Sequence, residues 1–174
     1  MPEILVKEDL TPVTKLFEIR APDVARKARA GQFVIIRIHG KGERFPLTIA
    51  DYDRERGTLT LVVQEVGKTT SEMNKMRDGD QLASLTGPLG IASEIEQYGT
   101  VVCIGGGFAI APIYPIARAL KEAGNVVLSI LGVRTRDLLF WEERMRTVSD
   151  ELIVCTDDGS YGREGLVIAP LLEM

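Results

Sequence analysis

Gly105-Gly106-Gly107-Phe108-Ala109-Ile110-Ala111-Pro112 is the stretch on which the reading of this chain turns. A continuous apolar run at 100–104 stands before it, and helical apolar spacing over 111–123 follows it. A buried strand that ends in glycines and opens into a helix is the strand-to-helix turn of a parallel sheet. Glycines permit close backbone approach, a helix start offers N–H groups without partners, and Pro112 suits a first helical turn. Taken alone, the turn fits two readings: a cradle for the pyrophosphate of a nucleotide, or a tight connection that holds nothing. It departs from the G-x-G-x-x-G pattern at Ile110.

Downstream, the spacing predicts a strand at 125–131 and a charged helix at 136–148 with Leu138, Leu139, Trp141 and Met145 as its apolar residues. A third strand at 151–155 and a last helix over 164–172 follow. Strand and helix in alternation make an α/β doubly wound parallel sheet. Three strands are only half of a typical dinucleotide sheet, which leaves the strand at 100–104 as an exposed apolar edge. Such an edge invites pairing with another chain. The expectation is therefore a C-terminal truncation, with the protein continuing past Met174, or another chain over that edge.

Upstream the grammar differs. Short segments at 3–7, 13–20, 32–38, 46–52, 58–65 and 81–86 carry strand patterns punctuated by turns, with one short helix at 70–76. Six strands so spaced predict an antiparallel barrel or sandwich. The change falls near 96–99, giving domains 1–97 and 98–174.

The 174 residues are 45% hydrophobic and 26% charged, which suffices for a real core. With 21 Lys+Arg against 25 Asp+Glu the net charge is −4, and no basic face for nucleic acid is present. The N-terminus lacks the pattern of a signal peptide, and no apolar stretch reaches about 18 residues. A cytoplasmic protein with no membrane partner is expected. Cys103 and Cys155 lie far apart inside apolar runs, as buried free thiols do; two thiolates cannot by themselves ligate an iron–sulfur cluster.

Other motifs are weaker singly. Gly67-Lys68-Thr69-Thr70-Ser71 precedes the short helix and reads either as a phosphate site or as an ordinary cap backed by Glu72. Arg44-Phe45-Pro46-Leu47-Thr48 opens a strand with a cation and a proline. The loop Thr156-Asp157-Asp158-Gly159-Ser160-Tyr161-Gly162 follows the third strand, on the side where ligands of open sheets bind. Arg134, Arg136 and Asp137 follow the second strand, with mixed signals for NAD and NADP. His39 is the one histidine and reads as a solvated loop residue, so no Ser–His or Cys–His pair is expected.

In this order, Arg…Pro-Leu-Thr, Gly-x-Thr-Thr and Gly-Gly-Gly-x-x-x-Ala-Pro resemble the ferredoxin–NADP reductase superfamily over essentially the whole chain. The nearest resemblance is to the electron-transfer subunits of dihydroorotate dehydrogenase and the small subunits of NADH-dependent ferredoxin:NADP oxidoreductases. The resemblance implies a six-stranded FAD-binding β barrel followed by an NAD(P)-binding domain. Pro46, Leu47 and Thr48 would lie along the isoalloxazine and ribityl, with Val62, Val63 and Gln64 beside the flavin. Gly67, Thr69 and Thr70 would hold the pyrophosphate. The superfamily's arginine stands three residues before the Ser/Thr, where this chain has Phe45, so Arg44 is displaced by one. Gly105, Gly106 and Gly107, with Asp157 and Asp158, would hold NAD(P)H. No catalytic side chain and no metal ligand is implied. The family's C-terminal [2Fe-2S] cysteines have no counterpart in this sequence. The implied activity is hydride transfer between NAD(P)H and FAD, then electron transfer to an iron–sulfur centre or a larger redox catalytic subunit. The alternatives are a non-catalytic docking module of a redox complex and, last, an NAD-linked dehydrogenase with its own substrate pocket.

Overall fold

In a computed structural model that describes residues 1–173, the chain divides into two units, Met1–Ser93 and Glu94–Met174.

The first unit begins with β1 (Glu3–Thr11) and β2 (Thr14–Arg20), a hairpin. β3 (Phe33–Arg37), β4 (Phe45–Asp53), β5 (Thr58–Gln64) and β6 (Ser84–Leu89) complete an antiparallel sheet in the order β1-β2-β5-β4-β3-β6. Alternation buries one face: Phe17 and Ile19 of β2, Val34 and Ile36 of β3 and Ile49 of β4 are packed with Leu59, Leu61 and Val63 of β5. Each such side chain contributes about 1.5–3 kcal/mol of burial. The sheet closes into a barrel where β1 meets the segment just before β6. Glu3 bridges Gln81, Ile4 N–H donates to the Asp80 carbonyl at 2.8 Å, and Leu82 N–H donates to the Pro2 carbonyl at 2.9 Å. Two short helices, α1 (Pro22–Ala25) and α2 (Lys68–Met73), sit among the strands, and α2 sends the fully buried Met73 into the core.

The sequence pattern places the sixth strand at 81–86, whereas β6 runs later. Gly87 explains the shift. A Cβ there would lie 2.7 Å from Val34 Cγ1, so only a glycine lets the strand continue against β3 through Gly87-Pro88. The helix expected at 70–76 starts earlier, at Lys68, and ends at Met73.

The second unit carries β7 (Thr100–Gly106), β8 (Val126–Val133), β9 (Glu151–Thr156) and the two-residue β10 (Arg163–Glu164). All are parallel, in the order β10-β9-β8-β7, so β7 stands at the sheet edge. α3 (Ile110–Glu122) connects β7 to β8 and α4 (Glu142–Thr147) leads into β9; α5 (Ile168–Glu173) follows β10. The buried Asn125 ties the start of this unit together. Its Oδ1 accepts from Tyr98 N–H at 2.7 Å and Gly99 N–H at 3.0 Å, and its Nδ2 donates to the Glu96 and Leu120 carbonyls, both at 2.8 Å.

The single helix expected over 136–148 is broken. Residues 136–138 form one 3-10 turn, and α4 begins only after Trp141, whose φ is 59°. Four consecutive apolar residues, 138–141, span more than one face of a helix. The chain instead turns at Trp141, burying Phe140 and setting the indole edge-on to Tyr114 at 5.4 Å. The last helix begins at Ile168 rather than 164, because Arg163 and Glu164 pair with β9.

Candidate functional site

Two groups of candidate residues come together, one in each unit. In the barrel, β4 and β5 pair from Ile49↔Leu61 toward the 53–58 turn. Before Ile49 they part: among the described residues no ladder pair joins 45–48 to 62–64, although β4 pairs with β3 and β5 with β2 along these lengths. Pro46 stands on this divergent segment and pairs with Ile35 of β3, so its missing N–H breaks no bond to β5. Pro46, Leu47 and Thr48 therefore have no ladder partner in Val62, Val63 and Gln64 of the neighbouring strand. Pro46 is exposed, Thr48 and Gln64 are half-buried, and Leu47, Val62 and Val63 are buried.

Gly67, Thr69 and Thr70 lie just beyond Gln64 at the start of α2. The Thr70 hydroxyl accepts from Gly67 N–H at 3.0 Å and Val66 N–H at 3.1 Å, capping the helix from within; Glu72, expected to back the cap, instead meets His39. Gly67 has open space where a Cβ would stand. The Thr69 hydroxyl donates to the Glu43 carboxylate at 2.6 Å. Arg44 is exposed on the same loop. Glu43 had no signal in the sequence beyond its place beside Arg44.

In the second unit a cleft of about 250 Å³ lies at the carboxyl ends of the strands, lined by Gly106, Gly107, Gly132, Val133, Arg134, Asp157, Leu166 and Val167. The three glycines differ. A Cβ on Gly105 would press on Ile110 Cα and Ile113 Cγ2, both at 3.1 Å, so this glycine seats α3 on the sheet. Gly106 and Gly107 have open space at that position, and Gly107 has φ +53°. Gly132, paired with Gly106 across the ladder, is a cleft residue that the sequence reading missed; its signal is a glycine at the end of the second strand. Asp158 lies outside this cleft, on an open shelf with Thr135, Arg136, Asp137 and Ser160. The Ser160 hydroxyl and N–H bond Asp158 and hold its carboxyl below the usual range. Arg136 lies over the Tyr161 ring at 5.0 Å.

Both thiols are buried and free, Cys103 in β7 and Cys155 in β9, and burial pushes each up. They do not fit an iron–sulfur cluster. Among the described residues no group of three or more His, Cys, Asp or Glu could hold a metal ion, and no helix is long and apolar enough to cross a membrane.

No protein-family model matches the chain. It is 50% identical over 165 residues to a dihydroorotate dehydrogenase B (NAD(+)) electron transfer subunit homolog of Thermotoga maritima, covering 95% of this chain and 58% of that one. It is 32% identical to the dihydroorotate dehydrogenase B (NAD(+)) electron transfer subunit of Streptococcus mutans, covering 94% of this chain and 67% of that protein. The chain belongs to the ferredoxin reductase-like electron-transfer subunits. A solved structure of an NADH-dependent reduced ferredoxin-NADP oxidoreductase, described in terms of flavin-based electron bifurcation, shares this family's fold with a TM-score of 0.94 and 46% identity. The match covers 99% of this chain and 62% of that one. The chain thus spans just under three fifths of the length of its first curated relative. The order barrel first, parallel sheet second is the family's architecture.

Proposed function

We propose that this chain is the flavin- and pyridine-dinucleotide-binding part of a redox electron-transfer subunit. One observation carries the flavin half: β4 and β5 part beside the start of α2. Along 46–48 and 62–64 the two strands share no ladder pairs, so main-chain groups on the facing edges are left for a ligand, which suits the polar edge of a planar ring. Gly67 leaves room for a pyrophosphate at the neighbouring helix start. These residues fit FAD, with Pro46, Leu47, Thr48, Val62, Val63 and Gln64 along the ring and ribityl. Gly67, Thr69 and Thr70 hold the phosphates, and Arg44 supplies a positive charge nearby.

Gly106 and Gly107 fit the dinucleotide, since nothing occupies the place of their absent Cβ atoms. Arg134 lines the same cleft and neutralises phosphate charge. Cleft and shelf together carry three carboxylates, Asp137, Asp157 and Asp158, against two guanidiniums, Arg134 and Arg136, and this net negative charge disfavours a 2′-phosphate and favours NADH over NADPH. Gly105 acts one step back, by letting α3 approach. The chemistry supplied when both cofactors are bound is hydride transfer from nicotinamide to flavin and onward electron transfer. The chain's own residues bind, orient and exclude water; no side chain need move a proton. The acceptor is a larger redox subunit, and the two unpaired thiols suit a reducing, cytoplasmic setting.

An anaerobic visible spectrum of the FAD-loaded chain tests this. Flavin absorption that bleaches with NADH, and more slowly with NADPH, is expected. A chain that takes up no FAD would sink the redox reading and leave a docking module.

A further inference from the structure

The loop between β3 and β4 is fastened to α2 at two points. Gly42 N–H donates to the His39 carbonyl at 2.8 Å, closing a tight turn. From this turn His39 Nε2 reaches Glu72 Oε1 at 3.0 Å, and the Glu43 carboxylate accepts from the Thr69 hydroxyl at 2.6 Å. Thr69 and Glu72 are three apart on α2 and so share a face. The loop is thus strapped along one side of the helix start.

Thr69 is also one of the residues to which the flavin reading gives the pyrophosphate, and the role of Glu43 rests on that reading. A hydroxyl has one proton to donate. Here it goes to a carboxylate. A phosphate oxygen would be a second acceptor for the same proton and a second anion at the same place. We infer that Glu43 is a built-in occupant of the flavin phosphate position, holding Thr69 until the flavin displaces it. Displacement draws on the flavin's own binding energy, so Glu43 lowers the affinity of the site. Arg44, the next residue and exposed, is the positive charge that the released loop offers in exchange. The His39–Glu72 pair keeps the loop near the helix while Glu43 lets go.

The test is an FAD titration of the full chain, freed of flavin and followed by flavin fluorescence. The forms compared are the unmodified protein, Glu43→Gln, Glu43→Ala, Thr69→Ala and the Glu43→Ala/Thr69→Ala double variant. Glu43→Ala is expected to lower Kd about three- to tenfold. Glu43→Gln, which keeps an acceptor for Thr69 but loses the charge, falls between. The gain from Glu43→Ala shrinks when Thr69 is also alanine, since the two effects share one hydrogen bond. Unchanged or weaker FAD binding by Glu43→Ala overturns the inference and leaves the flavin reading standing. Absence of FAD binding by every form overturns both.

Discussion

Three adjacent glycines do three different jobs, and only their neighbours distinguish them. Gly105 gives up its Cβ to α3, Gly106 gives its up to the cleft, and Gly107 adopts a left-handed φ. Gly106→Val adds bulk where the protein has none, so it should weaken NADH binding at least about tenfold while the melting temperature stays near that of the unmodified protein. Isothermal titration beside a thermal melt checks both halves. The glycine run itself was legible in the sequence, but the division of labour was not, because it depends on how Ile110 and Ile113 of α3 pack back onto Gly105 while nothing packs on Gly106 and Gly107. In the sequence pattern Asn125 shows only as the start of a strand. Three of its four bonds go to residues in the stretch 96–99 and the fourth to Leu120 of α3, and local pattern does not bring 96–99 to it. Asn125→Ala leaves buried or part-buried donors and acceptors without partners and should destabilise the chain by about 2–4 kcal/mol in chemical denaturation.

Among the elements, those set by one clear periodicity were readable: β2, β5, β7, β8 and α3 stand close to where alternation or helical spacing put them. The misplacements have local physical causes. β6 slides onto Gly87 because a glycine fits against Val34, and the helix after β8 breaks because four apolar residues in a row cannot share one face. The join between α3, β8 and the approach to β9 is electrostatic. Asp150 accepts from Lys121 Nζ at 2.5 Å and from Val127 N–H at 2.8 Å, and these partners, Lys121 first, hold its carboxyl below the ordinary range. A carboxyl lowered on folding contributes stability above its ordinary titration range and loses it as pH falls through the lowered value. Asp150→Asn should therefore lower the melting temperature at pH 7, and the gap should close on acidification below about pH 4. A pH series of thermal melts on the two proteins reads this directly; a gap that persists in acid would remove the ionic part of the account.

At the scale of the whole molecule, a barrel followed by a parallel sheet was readable because the pattern changes from alternation to apolar runs divided by helices. What pattern could not supply was the parting of β4 from β5, on which the flavin reading rests, since register is a property of two strands at once. The edge position of β7 has a practical side: Val102 is 39% exposed there. The 174-residue chain should associate as its concentration rises, and Val102→Lys should reduce this in sedimentation velocity; equal behaviour of the two would show that the edge is not adhesive. Asn125 bears on a slower process. Asparagines age when the backbone nitrogen of the next residue attacks the side-chain amide, which needs a free N–H and a mobile carboxamide. Here Val126 N–H is donated to the Gly99 carbonyl at 2.8 Å, and both ends of the amide are held. The knot that orders the second unit therefore also protects it from deamidation, so storage lifetime at this position is set by how often the fold opens.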